Sequence, residues 1–428
     1  MWRIGCRSEL GNLLQKDASS KRTLTISLGP GVNGSVLLVI ACILFVILGR
    51  MWKRILRRFF GDSPENLRQI QEELAKQDIR LPFYKYEELR AATKYFSDEN
   101  VLGKGRYGVV YKAELADKST VAVKLLQSTE RSFTDFLKEI VLVTGIKHTN
   151  LVELKGCCVQ NEKQILVYEF AENRDLGQAL WGNGGSFFLN WAHRVKICVD
   201  VAKGLSYLHE SKIIHRDIKP PHILLDKDWN AKIAGFTLAL QLEDGESQAE
   251  TIAGTLGYLS PEYRTQALIT EKLDVYSYGI VLLEIISGRR CLDLRAPAGQ
   301  ILLQEWAFRL YEAGCLLEMA EKALLQSSPA EEIESVLKIA FCCLREKYKN
   351  RPAMSEVVTM LNGIASGVAK GIVDELREHP QVLFDNIYKA LIVNSVNGNQ
   401  EEKMRFHSSR FNEPFKRHRN PTEHVKLR

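Results

Sequence analysis

Residues 101–124 read VLGKGRYGVVYKAELADKSTVAVK. Three glycines, Gly103, Gly105 and Gly108, stand between two strand-like runs. A GxGxxG spacing alone says little, because glycines in a turn need no ligand. The flanks decide the reading. A dinucleotide-binding loop leads into a helix, whereas Val109, Val110 and Tyr111 continue as strand. Strand, glycine-rich turn, strand is the pattern of a flap whose backbone amides fold over phosphate groups. Further on, Val121 and Val123 face one way and Ala122 and Lys124 the other, which points Lys124 into the cleft under the flap.

The next segment, ERSFTDFLKEIVLVTG, repeats apolar residues at Phe133, Phe136, Leu137, Ile140 and Val141, a helical period. Glu139 falls on the inward stripe of that helix. A carboxylate there is costly to bury without a cation, and Lys124 is the expected partner. Such a Lys–Glu pair holds the α- and β-phosphates of a bound nucleotide.

Beyond it the chain carries FYKYEELRAATKYFS, IKHTNLVELKGCCV, LVYEF, HRDIK, GTLGYLSPEY, DVYSYGIVLLEIISG and RPAMSEVV. With the flap and VAVK, these motifs make residues 82–363 resemble a plant receptor-like serine/threonine protein kinase of the leucine-rich-repeat receptor type. The resemblance implies an α+β, bilobal protein kinase fold, with a β-rich N-lobe and a helical C-lobe. It implies adenine held at the hinge beyond Tyr168, near Glu169 and Ala171, between Val109, Ala122 and Leu224. It also implies a stack of Val143, Leu154, His215 and Phe236 anchored by Asp274, and an ion pair between Glu262 and Arg351. Arg216 would receive a phosphate from the activation segment, where Ser247, Thr251 and Thr255 are candidate acceptors.

Two working parts of the resemblance are missing. In HRDIKPPH, Asp217 matches the base for the substrate hydroxyl and Lys219 the cation near the γ-phosphate. His222 stands where the family keeps a metal-binding Asn. In KIAGFTLA, Gly235 replaces the metal-binding Asp and Thr237 the glycine two residues later. Magnesium is a hard cation that takes oxygen ligands; neutral imidazole is a poor substitute and glycine offers no side chain. Loss of the bridging ion is expected to cost several orders of magnitude in phosphotransfer rate. Thr237 also removes the backbone freedom of a glycine and is expected to fix the start of the activation segment. Asp226, Asp228, Glu243 and Asp244 are the nearby acids, and solvated turn carboxylates are their expected role. The expected cofactor state is therefore weak or metal-independent ATP binding, with magnesium doubtful and no metal ligands assigned.

Composition sets the remaining bounds. The 428-residue chain carries a modest net charge of +6, with no feature pointing to nucleic acid. Its nine cysteines show no metal or disulfide spacing, so buried, reduced thiols are expected. Residues 32–52, VNGSVLLVIACILFVILGRMW, reach the roughly 20 residues that span a bilayer. The basic cluster Arg50–Arg58 places the following chain in the cytosol and suits anionic lipids. The Asn33 sequon would lie at the membrane surface and is read as chance. The expected organisation is a short extracytoplasmic segment (1–31), a transmembrane helix (32–52), a juxtamembrane segment (53–96), a kinase-like domain (97–363) and a basic tail (364–428). An outward segment that short would lack the usual ligand-binding ectodomain. The expected function is that of a single-pass plasma-membrane pseudokinase that binds and regulates active kinases, its partners being other receptor-like kinases or their cytoplasmic substrates. Two readings stand beside it: a slow serine/threonine kinase with a non-standard metal site, and a nucleotide-responsive adaptor.

Overall fold

The computed structural model describes residues 64–366, apart from 128–132, 161–162, 183–188 and 244, together with the backbone of 406–407. The apolar run 32–52, the Asn33 sequon, the cluster Arg50–Arg58, Asp244 and nearly all of the tail lie outside the described residues. Among the described residues no helix is long and apolar enough to cross a membrane.

The polar stretch that precedes the flap forms two helices, α1 (Pro64–Lys76) and α2 (Tyr86–Ala92). Both join the N-lobe. Ile70 and Leu74 of α1 are buried in the same core as Phe136 and Ile140 of α3 (Phe133–Thr144), and Leu89 of α2 is buried against Val121, Val123, Ile165 and Val167. Each such side chain contributes about 1.5–3 kcal/mol on leaving water. Between the helices the chain runs beside a strand: Tyr84 N–H donates to Cys157 O at 2.9 Å and Cys157 N–H to Pro82 O at 3.1 Å. The segment just before the sequence-derived domain boundary is therefore packed as part of the lobe.

The N-lobe sheet is antiparallel, with β1 (Val101–Gly105), β2 (Gly108–Glu114), β3 (Thr120–Leu126), β4 (Leu154–Gln160) and β5 (Lys163–Glu169) in the order β1-β2-β3-β5-β4. Gly108 is required by close approach. Its φ is +151°, and a Cβ there would lie 2.2 Å from Leu125 O on β3. Tight β2–β3 pairing thus excludes any side chain at the root of the flap.

The C-lobe is helical: α4 (Leu176–Trp181), α5 (Trp191–Glu210), α6 (Pro261–Gln266), α7 (Glu271–Ser287), α8 (Leu303–Glu312), α9 (Lys322–Ser327), α10 (Ala330–Cys343) and α11 (Met354–Ala365). Helix α7 is buried without a break from Leu273 to Ser287, as its all-round apolar sequence demands. Thr270 caps its start by accepting from Lys272 N–H, and Gly288, at φ +64°, ends it. Arg351, wholly buried, forms a bidentate pair with Glu262 at 2.7 and 2.8 Å. Short strands β6 (Ile213–Ile214), β7 (Ile223–Leu225), β8 (Ala231–Ile233) and β9 (Leu240–Gln241) carry the loops facing the N-lobe. Cys157, Cys158, Cys198, Cys291, Cys342 and Cys343 are buried free thiols, and Cys315 is exposed. The architecture is the two-lobed one that the resemblance implied.

Candidate functional site

The upper half of the site is set by β3 and α3. Pairing in register with Leu166, Lys124 extends from the sheet to place Nζ 3.1 Å from Glu139 Oε1. The Glu139 side chain is 1% exposed and that of Lys124 14%, so the pair is desolvated and each charge needs the other. The Tyr168 hydroxyl, from the end of β5, donates to the same Glu139 oxygen at 2.8 Å. Lys124 Nζ also donates to Thr237 Oγ1 at 2.9 Å, and that oxygen lies 3.4 Å from Glu139 Oε2. Sequence reasoning paired Lys124 with Glu139 but missed both hydroxyls. Thr237 is not among the residues with positive φ. Beyond the backbone freedom lost with the glycine, its hydroxyl makes a side-chain contact.

The lower half hangs on Asp274 of α7. Its carboxylate accepts from His215 N–H and Arg216 N–H, both at 2.8 Å, and lies 3.1 Å from His209 Nε2. Burial alone would raise this carboxyl; His209 and His215 outweigh it and hold the carboxyl below its ordinary value. Arg216 is thereby kept at φ +68°, a conformation that costs a side-chain-bearing residue and that Asp274 maintains. The His215 ring stacks edge-on against Phe236 at 5.1 Å. Val143, Leu154 and Phe236 are buried members of the same hydrophobic core, and the His215–Phe236 contact is the one ring pair seen within the implied stack.

Asp217 sits in a dense polar knot. Lys219 Nζ donates to its Oδ2 at 2.8 Å, and the Thr255 hydroxyl donates to its Oδ1 at 2.6 Å while accepting from Lys219 Nζ at 2.7 Å. Burial pushes the Asp217 carboxyl upward. The charge of Lys219 and the Lys219 and Thr255 hydrogen bonds oppose that push, and the carboxyl lies below its ordinary value. Of the three candidate phosphate acceptors, Thr255 has its hydroxyl built into the Asp217–Lys219 network, while Ser247 and Thr251 are half-buried in short strands earlier in the segment. The GT in GTLGY was the available signal. Arg216 donates to Tyr263 Oη at 2.7 Å and to Leu238 O at 3.3 Å, so neither bond is to Ser247, Thr251 or Thr255.

The metal positions behave differently. His222 Nδ1–H donates to Asp217 O at 2.9 Å, which fixes the tautomer. Burial drives the imidazole down to about 3 against the pull of Asp217, so it is neutral at physiological pH although the side chain is still a quarter exposed. Gly235 is left-handed at φ +86°. A Cβ built there would lie 2.5 Å from His222 Nδ1 and 2.7 Å from its Cγ. The ring therefore fills the space through which a side chain at position 235 would leave the backbone. Asp226 caps the β7–β8 turn, accepting from Asp228 N–H, Asn230 N–H and Asn230 Nδ2, while Asp228 and Glu243 are exposed. Among the described residues no three of His, Cys, Asp and Glu converge as a metal site. The donor set does not fit a magnesium ion.

At the hinge, Glu169 accepts from Glu153 N–H at 2.8 Å and from Lys232 Nζ at 3.1 Å, and Ala171 is buried. Ala122, also buried, pairs with Tyr168, while Val109 and Leu224 are half-buried and Gly103 and Gly105 are exposed in the second half of β1. A cavity of 380 Å³ opens elsewhere in the C-lobe, lined in part by His209, Lys212, Thr270, Lys272 and Tyr348, and its lining includes none of Lys124, Glu139, Asp217, Lys219, His222 or Gly235.

Comparison with known proteins gives concordant matches. The sequence model of the protein tyrosine and serine/threonine kinase family matches residues 96–361. Cold-responsive protein kinase 1 of Arabidopsis thaliana is 42% identical over 303 residues, 69% of this chain and 77% of that protein. Two probable LRR receptor-like serine/threonine-protein kinases of the same plant are each 40% identical. The matches run over 328 and 342 residues, 75% and 78% of this chain but 32% and 33% of those proteins. The chain thus spans about a third of the length of these receptor-like relatives.

Proposed function

Because the chain belongs to the protein tyrosine and serine/threonine kinase family and is a homologue of LRR receptor-like serine/threonine-protein kinases, we propose that it acts in signalling as a pseudokinase. In this reading it binds and regulates active kinases rather than phosphorylating substrates efficiently. The family uses ATP with magnesium. The observation that carries the proposal is the contact between His222 and the Cβ position of residue 235. One metal ligand is absent, and the other position holds a neutral ring in the vacated space. Without a bridging cation, charge developing on the transferred phosphoryl group is left to Lys124 and Lys219, which cannot bridge β- and γ-oxygens as a divalent ion does. ATP, where it binds, is proposed to bind weakly and without metal.

The proposed setting is the plasma membrane. Residues 32–52 would form the single span, 53–96 the juxtamembrane segment, 97–363 the kinase-like domain and 364–428 a basic tail. Other receptor-like kinases or their cytoplasmic substrates are the proposed partners, with Arg50–Arg58 on anionic lipids.

A second reading, a slow serine/threonine kinase, is favoured by the intact Asp217–Lys219–Thr255 network. One experiment separates them. The full chain is melted with ATP, Mg²⁺, ATP–Mg²⁺ and ATP–Mn²⁺, and phosphotransfer is measured beside Asp217→Asn. The regulatory reading expects no divalent-dependent rise in melting temperature and no phosphotransfer sensitive to Asp217→Asn. Metal-dependent stabilisation with activity abolished by Asp217→Asn would overturn it in favour of the enzyme.

A further inference from the structure

We infer that Thr237 is a positioning residue that turns the Lys124–Glu139 ion pair into a latch between the lobes, closed without nucleotide or metal. The inference takes its significance from the regulatory reading above, since a catalytic domain needs the same lysine for phosphates. Lys124, Glu139 and Tyr168 all belong to the N-lobe, on β3, α3 and β5. Thr237 belongs to the C-lobe side of the cleft, in the 3-10 turn Phe236–Leu238 that opens the activation segment. Its hydroxyl accepts from Lys124 Nζ at 2.9 Å and faces Glu139 Oε2 at 3.4 Å, so one oxygen touches both members of the pair. A glycine at this position, as in the expected form of the motif, has no atom that reaches either.

The chemistry of the four groups is complementary. An ammonium has three donors, of which Glu139 and Thr237 take two. One carboxylate oxygen accepts from Lys124 and Tyr168, and the other faces the threonine hydroxyl. The pair is nearly dry, with Glu139 1% exposed, and charge-assisted bonds in such a site are stronger than neutral ones. Helix α3 is therefore tied from inside the cleft by a C-lobe hydroxyl, while Ile70 and Leu74 of α1 share the buried core of its Phe136 and Ile140. The domain then presents a closed form to a partner irrespective of ATP.

Two variants of the full chain test this by amide hydrogen exchange without nucleotide. Thr237→Val keeps the branched shape and removes the hydroxyl; Thr237→Ser keeps the hydroxyl. Loss of a charge-assisted bond corresponds to about a tenfold change in the opening equilibrium. The expected result is exchange of the α3 amides (133–144) about tenfold faster in Thr237→Val, unchanged exchange in α7, and wild-type rates in Thr237→Ser. Unchanged α3 rates in Thr237→Val, equal acceleration in both variants, or equal acceleration of α3 and α7 would each overturn the latch. Stabilisation of the wild type by ATP–Mg²⁺ would instead sink the regulatory reading, and leaves this nucleotide-free comparison intact.

Discussion

Restoring the missing acid at position 235 by itself should damage the protein, and restoring both metal positions together should damage it less. At Gly235 a Cβ meets His222 Nδ1 at 2.5 Å, Cγ at 2.7 Å and Cε1 at 2.8 Å, and the ring is pinned by its bond to Asp217 O. A side chain at φ +86° costs about 1–2 kcal/mol before any clash. Displacing the imidazole removes its hydrogen bond to Asp217 O, worth about 1 kcal/mol. Gly235→Asp alone should therefore destabilise by about 2–3 kcal/mol, which for a domain of this size lowers the melting temperature by about 5–10 °C. In His222→Asn/Gly235→Asp the clash disappears and only the backbone cost remains, so the two changes couple favourably by about 1–2 kcal/mol in a double-mutant cycle. The double variant also presents two oxygen ligands. At a hundredfold excess over Kd, ATP–Mg²⁺ should stabilise it by about 2.7 kcal/mol, while the wild type and each single variant stay unmoved. The assay is thermal denaturation of the full chain and the three variants, with ATP, Mg²⁺ and both. The reasoning is refuted if Gly235→Asp melts with the wild type and by itself gains an ATP–Mg²⁺ shift.

Further tests address the scaffold and its pH response. Glu284 is buried at the end of α7, with Tyr258 Oη donating to both its oxygens at 2.9 and 3.0 Å. Burial raises its carboxyl from 4.5 to about 8, so the folded state holds a proton that the unfolded chain releases above 4.5. Its stabilisation is complete below 4.5 and is lost as pH rises through about 8; wild-type melting temperature should fall relative to Glu284→Gln between pH 5 and 8.5, and parallel curves would count against this. His222 has the opposite sign: its folded value is depressed to about 3 from 6.5, so its contribution is present above 6.5 and lost on acidification. His222→Asn should accordingly lose less stability than wild type when the pH is lowered from 7 to about 5, read by the same melts. Glu262→Ala leaves the guanidinium of Arg351 buried and unpaired, and urea denaturation should show a loss of about 3–5 kcal/mol; a loss under about 1 kcal/mol would mean that the pair is dispensable.

The parts of this protein legible in the sequence are those specified by local spacing. The glycines Gly103, Gly105 and Gly108 around a tight turn between two strand-like runs, the alternation that points Lys124 inward, and the helical period that carries Glu139 to a buried stripe each depend on a few neighbouring residues. So do the losses at His222 and Gly235, which are visible as departures from motifs whose remaining members are intact. What the replacements do to one another was not legible. His222 and Gly235 are thirteen positions apart, and only the left-handed backbone at 235 and the carbonyl of Asp217 bring the ring into the vacated space. Thr237 reads in the sequence as a lost glycine, yet its hydroxyl meets a lysine 113 residues earlier. That contact exists because β3, α3 and the activation segment converge on one buried point. A short polar side chain has no periodicity to announce its partner. The partner is chosen by tertiary packing, and burial then gives the resulting hydrogen bonds their strength.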